Sequence, residues 1–172
     1  ERLKAVLHEL DGQKVVFVTQ EQQLGTGDAV NAARSFLENS DSTLVVLSGD
    51  VPMIRHETLA ALVQHHHRFR DGETACTILT VRLSDPTGYG RIVRGGDGEF
   101  ERIVEQKDAT EEERQTNEIN AGIYCFDARK LFSALSAVKN NNSQGEYYLT
   151  DVPALLKDAG EAVTIFQHGD AQ

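Results

Sequence analysis

The sequence predicts an α/β domain in which a mostly parallel sheet is flanked by helices, and three observations support this prediction. As far as Arg82, segments with apolar residues at helical spacing alternate with short β-branched segments, which is typical of strands joined by helical crossovers. Leu44–Leu47 is a run of four apolar residues that ends at Ser48-Gly49-Asp50, as expected of a strand covered by helices on both faces. The chain has 172 residues, enough for one core, so we expect residues 1–172 to form a single domain.

The first half of the chain is predicted to alternate between helix and strand. Leu59, Leu62, Val63 and His66 share one helical face, which should pack on the sheet. In chain order we expect a helix at Glu1–Leu10, a strand at Lys14–Thr19, a helix at Thr26–Glu38 capped by Thr26, a strand at Thr43–Ser48, a helix at His56–Phe69 and a strand at Thr74–Arg82.

After Arg82 the chain becomes richer in turn residues, which predicts a β-hairpin followed by longer elements. The turn Gly95-Gly96-Asp97-Gly98 separates the two short strands of this hairpin. We expect strands at Arg91–Val93 and Glu99–Val104, a helix at Ala109–Asn117, a strand at Ile119–Phe126, helices at Asp127–Val138 and Leu149–Ala159, and a strand at Val163–Phe166.

The composition disfavours several classes of partner. The formal net charge is -10 at pH 7, so we expect no binding to nucleic acid or to an anionic membrane, both of which require clustered Lys and Arg. No segment approaches the roughly 18 consecutive apolar residues that cross a bilayer, and we expect no signal peptide at Glu1. Cys76 and Cys125 lie in apolar segments without metal-ligand spacing, which predicts buried, reduced thiols in a cytoplasmic protein.

The segment that follows Leu47 is a candidate site. Ligands of parallel sheets bind at the carboxyl ends of the strands, where Asp50 could hold a metal ion or a ribose hydroxyl and Gly49 would let a ligand approach the backbone. Gly-Asp-x-Pro is equally typical of a simple turn, in which Asp50 caps the turn and Pro52 fixes its exit. This segment alone supports both interpretations.

A second candidate is the loop that joins a strand to the helix at Thr26. Gly25 and Gly27 would let the backbone pass close to a ligand, and the free amides of the helix start carry positive character. Gln20 offers a donor and an acceptor, the pair needed to read the edge of a nucleobase, whereas Asp28 would repel a phosphate. The loop therefore fits a base or a ribose better than a triphosphate, although a capped turn is the simpler interpretation of this segment alone.

Polar and small residues beside later strands form a third candidate. Gly90, Glu105 and Asn120 offer the close backbone approach, acceptors and donors that a hydroxyl-rich sugar needs. Solvated strand ends explain each of them equally well. The segment Asn140–Asp151 is more specific, because two tyrosines stand between a carboxylate and a Thr-x-x-Pro helix start.

Taken in order, the motifs resemble a known family. They are Leu24-Gly25-Thr26-Gly27, Ser48-Gly49-Asp50-Val51-Pro52, Gly88-Tyr89-Gly90-Arg91-Ile92-Val93, Ile103-Val104-Glu105-Gln106-Lys107-Asp108-Ala109-Thr110, Glu118-Ile119-Asn120-Ala121-Gly122-Ile123 and Gln144-Gly145-Glu146-Tyr147-Tyr148-Leu149-Thr150-Asp151. Nearly the whole chain is similar to the uridylyltransferase domain of the bacterial bifunctional N-acetylglucosamine-1-phosphate uridyltransferase/glucosamine-1-phosphate acetyltransferases.

The resemblance implies a fold, a reaction and partners. The fold would be a Rossmann-like nucleotidyltransferase fold with an inserted β-hairpin region. The enzyme would use Mg²⁺ to transfer uridylyl from UTP to N-acetylglucosamine 1-phosphate, giving pyrophosphate and UDP-N-acetylglucosamine, a precursor of the bacterial cell wall and lipopolysaccharide. Members also acetylate glucosamine 1-phosphate and form homotrimers through a C-terminal domain.

The resemblance also implies a role for each motif residue. Gln20 would read uracil, Gly25 and Thr26 would contact the nucleoside, and Ser48 and Gly49 would lie against the nucleotide. Asp50 would be the catalytic metal ligand. The sugar moiety would be held by Gly90, Glu105 and Asn120, with Tyr148 and Thr150 as neighbours.

The family pattern extends beyond the residues of this chain on both sides. Members carry a Leu-Ala-Ala-Gly-x-Gly-Thr-Arg-Met loop and a lysine for the triphosphate before these motifs, and an Asn that also binds Mg²⁺ and an acetyl-transferring β-helix after them. We therefore expect residues 1–172 to be an incomplete domain with little transfer activity alone. Asp28 stands where members often have His, and Ser48 where many have Tyr. The rival hypotheses are a transferase for another base or hexose and a non-enzymatic sugar-nucleotide-binding domain.

Overall fold

The computed structural model describes residues 9–10, 13–51, 53–68 and 74–169. Its elements are β1 (Glu9–Leu10), β2 (Gln13–Lys14), α1 (Thr26–Asn31), α2 (Arg34–Leu37), β3 (Thr43–Leu47), α3 (His56–His66), β4 (Thr74–Arg82), β5 (Arg91–Arg94), β6 (Phe100–Val104), α4 (Glu111–Arg114), β7 (Glu118–Asp127), α5 (Ala128–Leu135), a 3₁₀ turn (Leu149–Asp151), α6 (Val152–Asp158) and β8 (Ala162–Gln167).

The six-stranded sheet is organised around β7. Along one edge β7 pairs antiparallel with β4, and along the other it pairs antiparallel with β3 through Ile123–Asp127 and with β5 at Ile119. Strand β8 pairs with β4 in parallel, and β6 completes the predicted hairpin with β5. The sheet order is therefore β6-β5-β7-β4-β8, with β3 beside the second half of β7.

The α/β class is confirmed, and the sheet is mixed rather than mostly parallel. Strands β3, β4, β5 and β8 do run in one direction, but β7 runs against them and lies between them. The pairing of β4 with β8 is the one parallel pairing described in this sheet. Hydrophobic periodicity identifies strands from their own residues, and it cannot reveal which later strand will separate them.

The first predicted elements differ most from the structure. Residues 1–8 of the predicted first helix lie outside the described residues, and Glu9–Leu10 pairs with Gln13–Lys14 as a short antiparallel ladder. Residues 15–20 have no regular structure, and Val16–Val18 are 37% to 55% exposed. The predicted helix 26–38 is divided into α1 and α2, because Ala33 bonds back to Val30 in a tighter turn.

Two apolar clusters cover the two faces of the sheet. On one face α5 and α6 contribute Leu131, Phe132, Val152 and Leu156, which pack with other residues on β4 and β7. On the other face Leu62 of α3 packs with Leu79, Ile123 and Cys125. These clusters hold β7 between two helical layers, so the side chains that β7 presents to the site have rigid support.

Several predicted core features are confirmed. Cys76 and Cys125 are buried free thiols. His66 is buried, its Nδ1 lies 2.9 Å from Oγ1 of Thr77, and burial lowers its pKa to about 4, so the ring is neutral at pH 7.

Strand β3 is less covered than its apolar run predicts. Leu44 and Val46 pack against the α5–α6 cluster, whereas Val45 and Leu47 remain 39% and 47% exposed. Within the described residues no helix is both long and apolar enough to cross a membrane.

Candidate functional site

A cavity of about 340 Å³ lies where β3 ends beside the middle of β7. Five of the predicted site residues line it, and they come from four different parts of the chain. These are Thr26 on α1, Ser48 and Gly49 after β3, Glu105 after β6, and Asn120 on β7. The fold thus brings together residues that the sequence separates by as much as 94 positions, between Thr26 and Asn120.

Asp50 follows Gly49 directly in the chain and does not itself line the cavity. Its Oδ1 accepts a hydrogen bond from Oγ of Ser48 at 2.5 Å, and both residues are exposed. The backbone N–H of Val51 donates to the Ser48 carbonyl at 3.4 Å, so the segment is also a turn. Nothing lies within 4 Å of a Cβ placed on Gly49, so the protein itself leaves room there. Pro52 lies outside the described residues.

Gln20 is held by two acceptors. Its Nε2 donates to the Gly25 carbonyl at 3.1 Å and to Oδ2 of Asp28 at 2.8 Å. Both partners only accept, so the orientation of the amide is unambiguous and both of its N–H hydrogens are occupied. The predicted donor-and-acceptor edge is therefore reduced to the acceptor Oε1. Gln20 lines a separate depression of about 330 Å³ together with Asp28.

The loop at Gly25 is fastened to a segment near the end of the chain. Gly27 N–H donates to the Tyr147 carbonyl at 2.8 Å, and Tyr147 N–H donates to the Leu24 carbonyl at 2.8 Å. Gly25 has φ of 119°, and a Cβ there would lie 2.6 Å from the Tyr147 carbonyl oxygen. Only glycine accommodates both this φ and this approach.

The predicted capping role of Thr26 is wrong. The residue at the helix N-cap is Gly25, and no side chain caps α1. The Thr26 hydroxyl instead accepts a hydrogen bond from the Leu149 N–H at 3.0 Å. Its position on the cavity wall is therefore fixed by the distant 3₁₀ turn.

Glu105 lines the cavity, and Gly90 lies beside Glu105 without lining the cavity itself. The Gly90 carbonyl accepts the Asn120 N–H at 2.9 Å, and a Cβ on Gly90 would lie 3.2 Å from Ile103 and 3.5 Å from Oε2 of Glu105. Thr150 donates its hydroxyl to Oε1 of Glu105 at 3.0 Å. Burial, with a smaller contribution from Asp108, raises the pKa of the Glu105 carboxyl despite this hydrogen bond.

The side-chain amide of Asn120 is fixed at both ends. Its Oδ1 accepts the Gly122 N–H at 3.1 Å, and its Nδ2 lies 2.7 Å from the hydroxyl of Tyr124. Asn120 and Tyr124 are 8% and 2% exposed. Tyr124 lines the cavity and was not among the predicted residues, although its spacing of four from Asn120 on one strand places both on the same face.

The two neighbours named with the sugar-binding residues differ in position. Thr150 lines the cavity, as the hydrogen bond to Glu105 requires. Tyr148 lines an adjoining depression instead, where its hydroxyl lies 2.7 Å from Nε2 of Gln144.

Replacing Glu105 by glutamine is expected to stabilise the protein at pH 7. A buried carboxyl with a raised pKa opposes folding once the pH exceeds its ordinary range, and a glutamine side chain at this position would keep an acceptor for Thr150 without the charge. We expect Glu105→Gln to melt a few degrees higher than the wild type at pH 7. The difference should shrink as the pH falls toward 4.5, the ordinary pKa of a glutamate carboxyl. Glu112→Gln, at an exposed position, should show no such gain. If Glu105→Gln and the wild type melted at the same temperature at pH 7, the buried charge of Glu105 would not reduce stability as we expect.

Comparisons of the sequence with a family model and with curated proteins agree with each other. The family model described as "Nucleotidyl transferase" matches residues 1–170. The chain is 51% identical over 161 residues to the "Bifunctional protein GlmU" of Brevibacillus brevis, covering 94% of this chain and 34% of that protein. For the proteins of the same name from Limosilactobacillus reuteri and Geobacillus thermodenitrificans, identity is 51% and 50%, over 91% of this chain and 34% and 33% of theirs. The chain thus spans about a third of the length of these relatives.

One solved structure supports the fold assignment. It is "The Crystal Structure of UDP-glucose pyrophosphorylase complexed with UDP-glucose", with a TM-score of 0.65 and 17% sequence identity. The match covers 96% of this chain and 63% of that chain, so the likeness concerns the architecture of nearly every described element.

Proposed function

Since the chain belongs to the nucleotidyl transferase family, we propose that it is the nucleotidyl-transfer domain of a longer, bifunctional enzyme that makes UDP-N-acetylglucosamine. An oxygen of the 1-phosphate of N-acetylglucosamine would form a bond to the α-phosphorus of UTP, and the bond from that phosphorus to the β-phosphate oxygen would break. The electron pair would leave with pyrophosphate. The observation that carries the proposal is the cavity that Ser48, Gly49, Glu105 and Asn120 line together.

The nucleotide is proposed to lie along the loop before α1 and the end of β3. Gln20 would offer Oε1 to an N–H of the base, and the fixed orientation of its amide supports this role. Gly25 and Thr26 would lie beside the nucleoside, with Ser48 and Gly49 against the nucleotide. Because the loop is fastened to Tyr147 and Leu149, binding would cost little conformational entropy there.

The sugar is proposed to lie against Gly90, Glu105 and Asn120. The carboxylate of Glu105 accepts from sugar hydroxyls, and the fixed amide of Asn120 keeps a second N–H hydrogen and a second Oδ1 lone pair for the ligand. Gly90 leaves space beside the Glu105 carboxylate, because a Cβ on Gly90 would lie 3.5 Å from Oε2 of Glu105. The acceptors and donors converge on one volume, as recognition of a hydroxyl-rich ring requires.

A divalent cation, which we propose to be Mg²⁺, would be held by Asp50. An exposed carboxylate suits this ion, which prefers oxygen ligands and usually keeps waters and phosphate oxygens in its shell. Within the described residues no group of three or more His, Cys, Asp or Glu could hold a metal. The ion would neutralise charge on the phosphates when bound. Ser48 donates to the carboxylate and so orients it.

The substrates and surroundings of the whole enzyme follow from the same resemblance. The partners are proposed to be UTP, N-acetylglucosamine 1-phosphate and the product, in the cytoplasm, where UTP is available. The full-length protein is proposed to trimerise through its second domain. Sedimentation of the full-length protein as a monomer would contradict the trimer without affecting the proposed reaction.

The proposed reaction is tested with the full-length protein, UTP, N-acetylglucosamine 1-phosphate and Mg²⁺, by release of pyrophosphate. Parallel assays replace UTP by CTP, ATP, GTP or dTTP, and the sugar by glucose 1-phosphate. We expect the highest kcat/KM for the named pair. A preference for another base or hexose would favour a different sugar-nucleotide transferase, and tight binding of UDP-N-acetylglucosamine without turnover would favour a binding domain.

Replacing Gln20 by alanine is expected to weaken UTP binding selectively. Loss of one oriented hydrogen bond to the base should raise the KM for UTP about 10-fold, equivalent to roughly 1.4 kcal/mol, and leave the KM for the sugar phosphate unchanged. Gln23→Ala is the matched control, because Gln23 is exposed three residues away and does not line the depression that Gln20 lines. Equal effects of the two substitutions on the KM for UTP would remove Gln20 from the base site.

A further inference from the structure

Tyr124 is a buried phenol on the wall of the cavity. It is 2% exposed and its ring stacks on Phe126, with centroids 5.4 Å apart and an interplanar angle of 28°. Burial raises the pKa of its hydroxyl, which therefore stays neutral in the physiological range. Among the described residues, the one hydrogen bond that this hydroxyl makes is to Asn120, at 2.7 Å. A polar atom in this position requires an explanation beyond packing.

The direction of that hydrogen bond follows from the other end of the amide. The Gly122 N–H is only a donor, so the atom of Asn120 that faces it must be the oxygen. The amide nitrogen then faces Tyr124 and donates to it. The phenol is a rigid acceptor, because the Phe126 stack and the surrounding core leave its ring no freedom to move.

Two fixed partners on the same strand thus define the rotation of the Asn120 side chain. Gly122, two residues along the strand, donates its N–H to the amide oxygen, and Tyr124, two residues further on, meets the amide nitrogen. Asn120 is 8% exposed, so most of the residue already contacts other protein atoms. Without the phenol oxygen, the buried N–H would be unsatisfied and the amide would no longer be held in one orientation.

We infer that Tyr124 is a positioning residue for sugar binding: its hydroxyl orients the amide of Asn120 toward the N-acetylated sugar phosphate. This inference rests on the proposed function. A tyrosine that only stabilised the core would affect the binding of both substrates. Tyr124 is expected to affect only the sugar phosphate, and only through Asn120.

The test replaces Tyr124 by phenylalanine in the full-length protein. The ring and its stack on Phe126 are retained, so the variant should fold. We expect the KM for N-acetylglucosamine 1-phosphate to rise about 10-fold and the KM for UTP to stay within about 2-fold, as loss of one oriented hydrogen bond predicts. Thr77→Val is the matched control, since it removes a buried hydroxyl of the neighbouring strand that bonds His66 and Thr164 instead.

A double-mutant cycle separates positioning from simple structure. If Tyr124 acts through Asn120, the pair Tyr124→Phe and Asn120→Ala should raise the KM for the sugar phosphate no further than Asn120→Ala alone. Additive effects, equal rises in both KM values, or an unchanged KM in Tyr124→Phe would each overturn the inference. Absence of turnover in the wild type would overturn the proposed function and the inference with it, so the two failures are distinguishable.

Discussion

Replacing Asp50 by alanine in the full-length protein is expected to reduce nucleotidyl transfer at least about 1,000-fold, the scale seen when a transition-state charge loses a dedicated partner. Asp50 is the carboxylate that stands at the end of β3 beside the cavity. Asp50 is the one residue of this chain that we propose as a metal ligand, so its loss would leave the cation poorly held beside the phosphates. Asp50→Asn should be nearly as impaired, because an amide oxygen binds Mg²⁺ far more weakly than a carboxylate.

The measurement is pyrophosphate release across a series of Mg²⁺ concentrations, with melting temperature recorded for each variant. Asp50 is exposed, so its loss should leave stability within about 0.5 kcal/mol of the wild type. Asp41→Ala is the control: it removes an exposed carboxylate from the other end of the same strand, where Asp41 pairs with Arg129. Near-normal turnover of Asp50→Ala would exclude Asp50 as the metal ligand.

Gly25→Ala is expected to have the largest effect on stability. A methyl group there would lie 2.6 Å and 2.8 Å from backbone atoms of Tyr147, and the residue would have to keep φ at 119°. Strain of this kind and overpacking each cost about 1–3 kcal/mol, so we expect a loss of roughly 3 kcal/mol or more in the free energy of unfolding. Urea denaturation of the variant, monitored by circular dichroism, measures it.

Gly96→Ala provides the comparison for this prediction. A Cβ on Gly96 would meet nothing within 4 Å, and its φ is not in the left-handed region. This substitution should change stability by less than about 0.5 kcal/mol. If both alanine variants unfold at the same urea concentration, the fastening of the Gly25 loop to Tyr147 does not contribute to stability as described.

The individual elements were largely predictable, and their arrangement was not. The strands at 43–47, 74–82 and 118–127 stand out as apolar and β-branched runs, and the hairpin around Gly95–Gly98 follows from its turn residues. Periodicity depends on near neighbours in sequence, so it could not place β7 between β4 and β3. Four of residues 15–20 are β-branched, yet the segment is not a strand. Strand propensity is realised only where a neighbouring strand is available for pairing.

The candidate site was predictable by residue type and not by orientation. Glu105 and Asn120 were identified because their side chains suit a hydroxyl-rich sugar, and Ser48 through the family resemblance; the fold brings all three to one cavity. The bond that occupies the donors of Gln20 depends on Asp28, and the one that orients Asn120 depends on Tyr124. Such second partners look like ordinary loop or core residues in the sequence, since only three-dimensional contact gives them a role.

The fastening of the loop at Leu24–Gly27 to Tyr147–Leu149 also determines when the protein can acquire its cavity during folding. The bond from Leu149 to Thr26 spans 123 residues, and the first strand able to pair β3, β4 and β5 with one another begins at Glu118. During synthesis, β3, β4 and β5 therefore lack β7, the strand with which all three pair, until about two thirds of the 172 residues have been made. Non-local pairing of this kind slows folding and leaves apolar strands exposed to aggregation in the meantime. A nascent chain that ends before Tyr147 and Leu149 would lack the wall that these residues complete, so ligand binding could stabilise the protein only after they have been made.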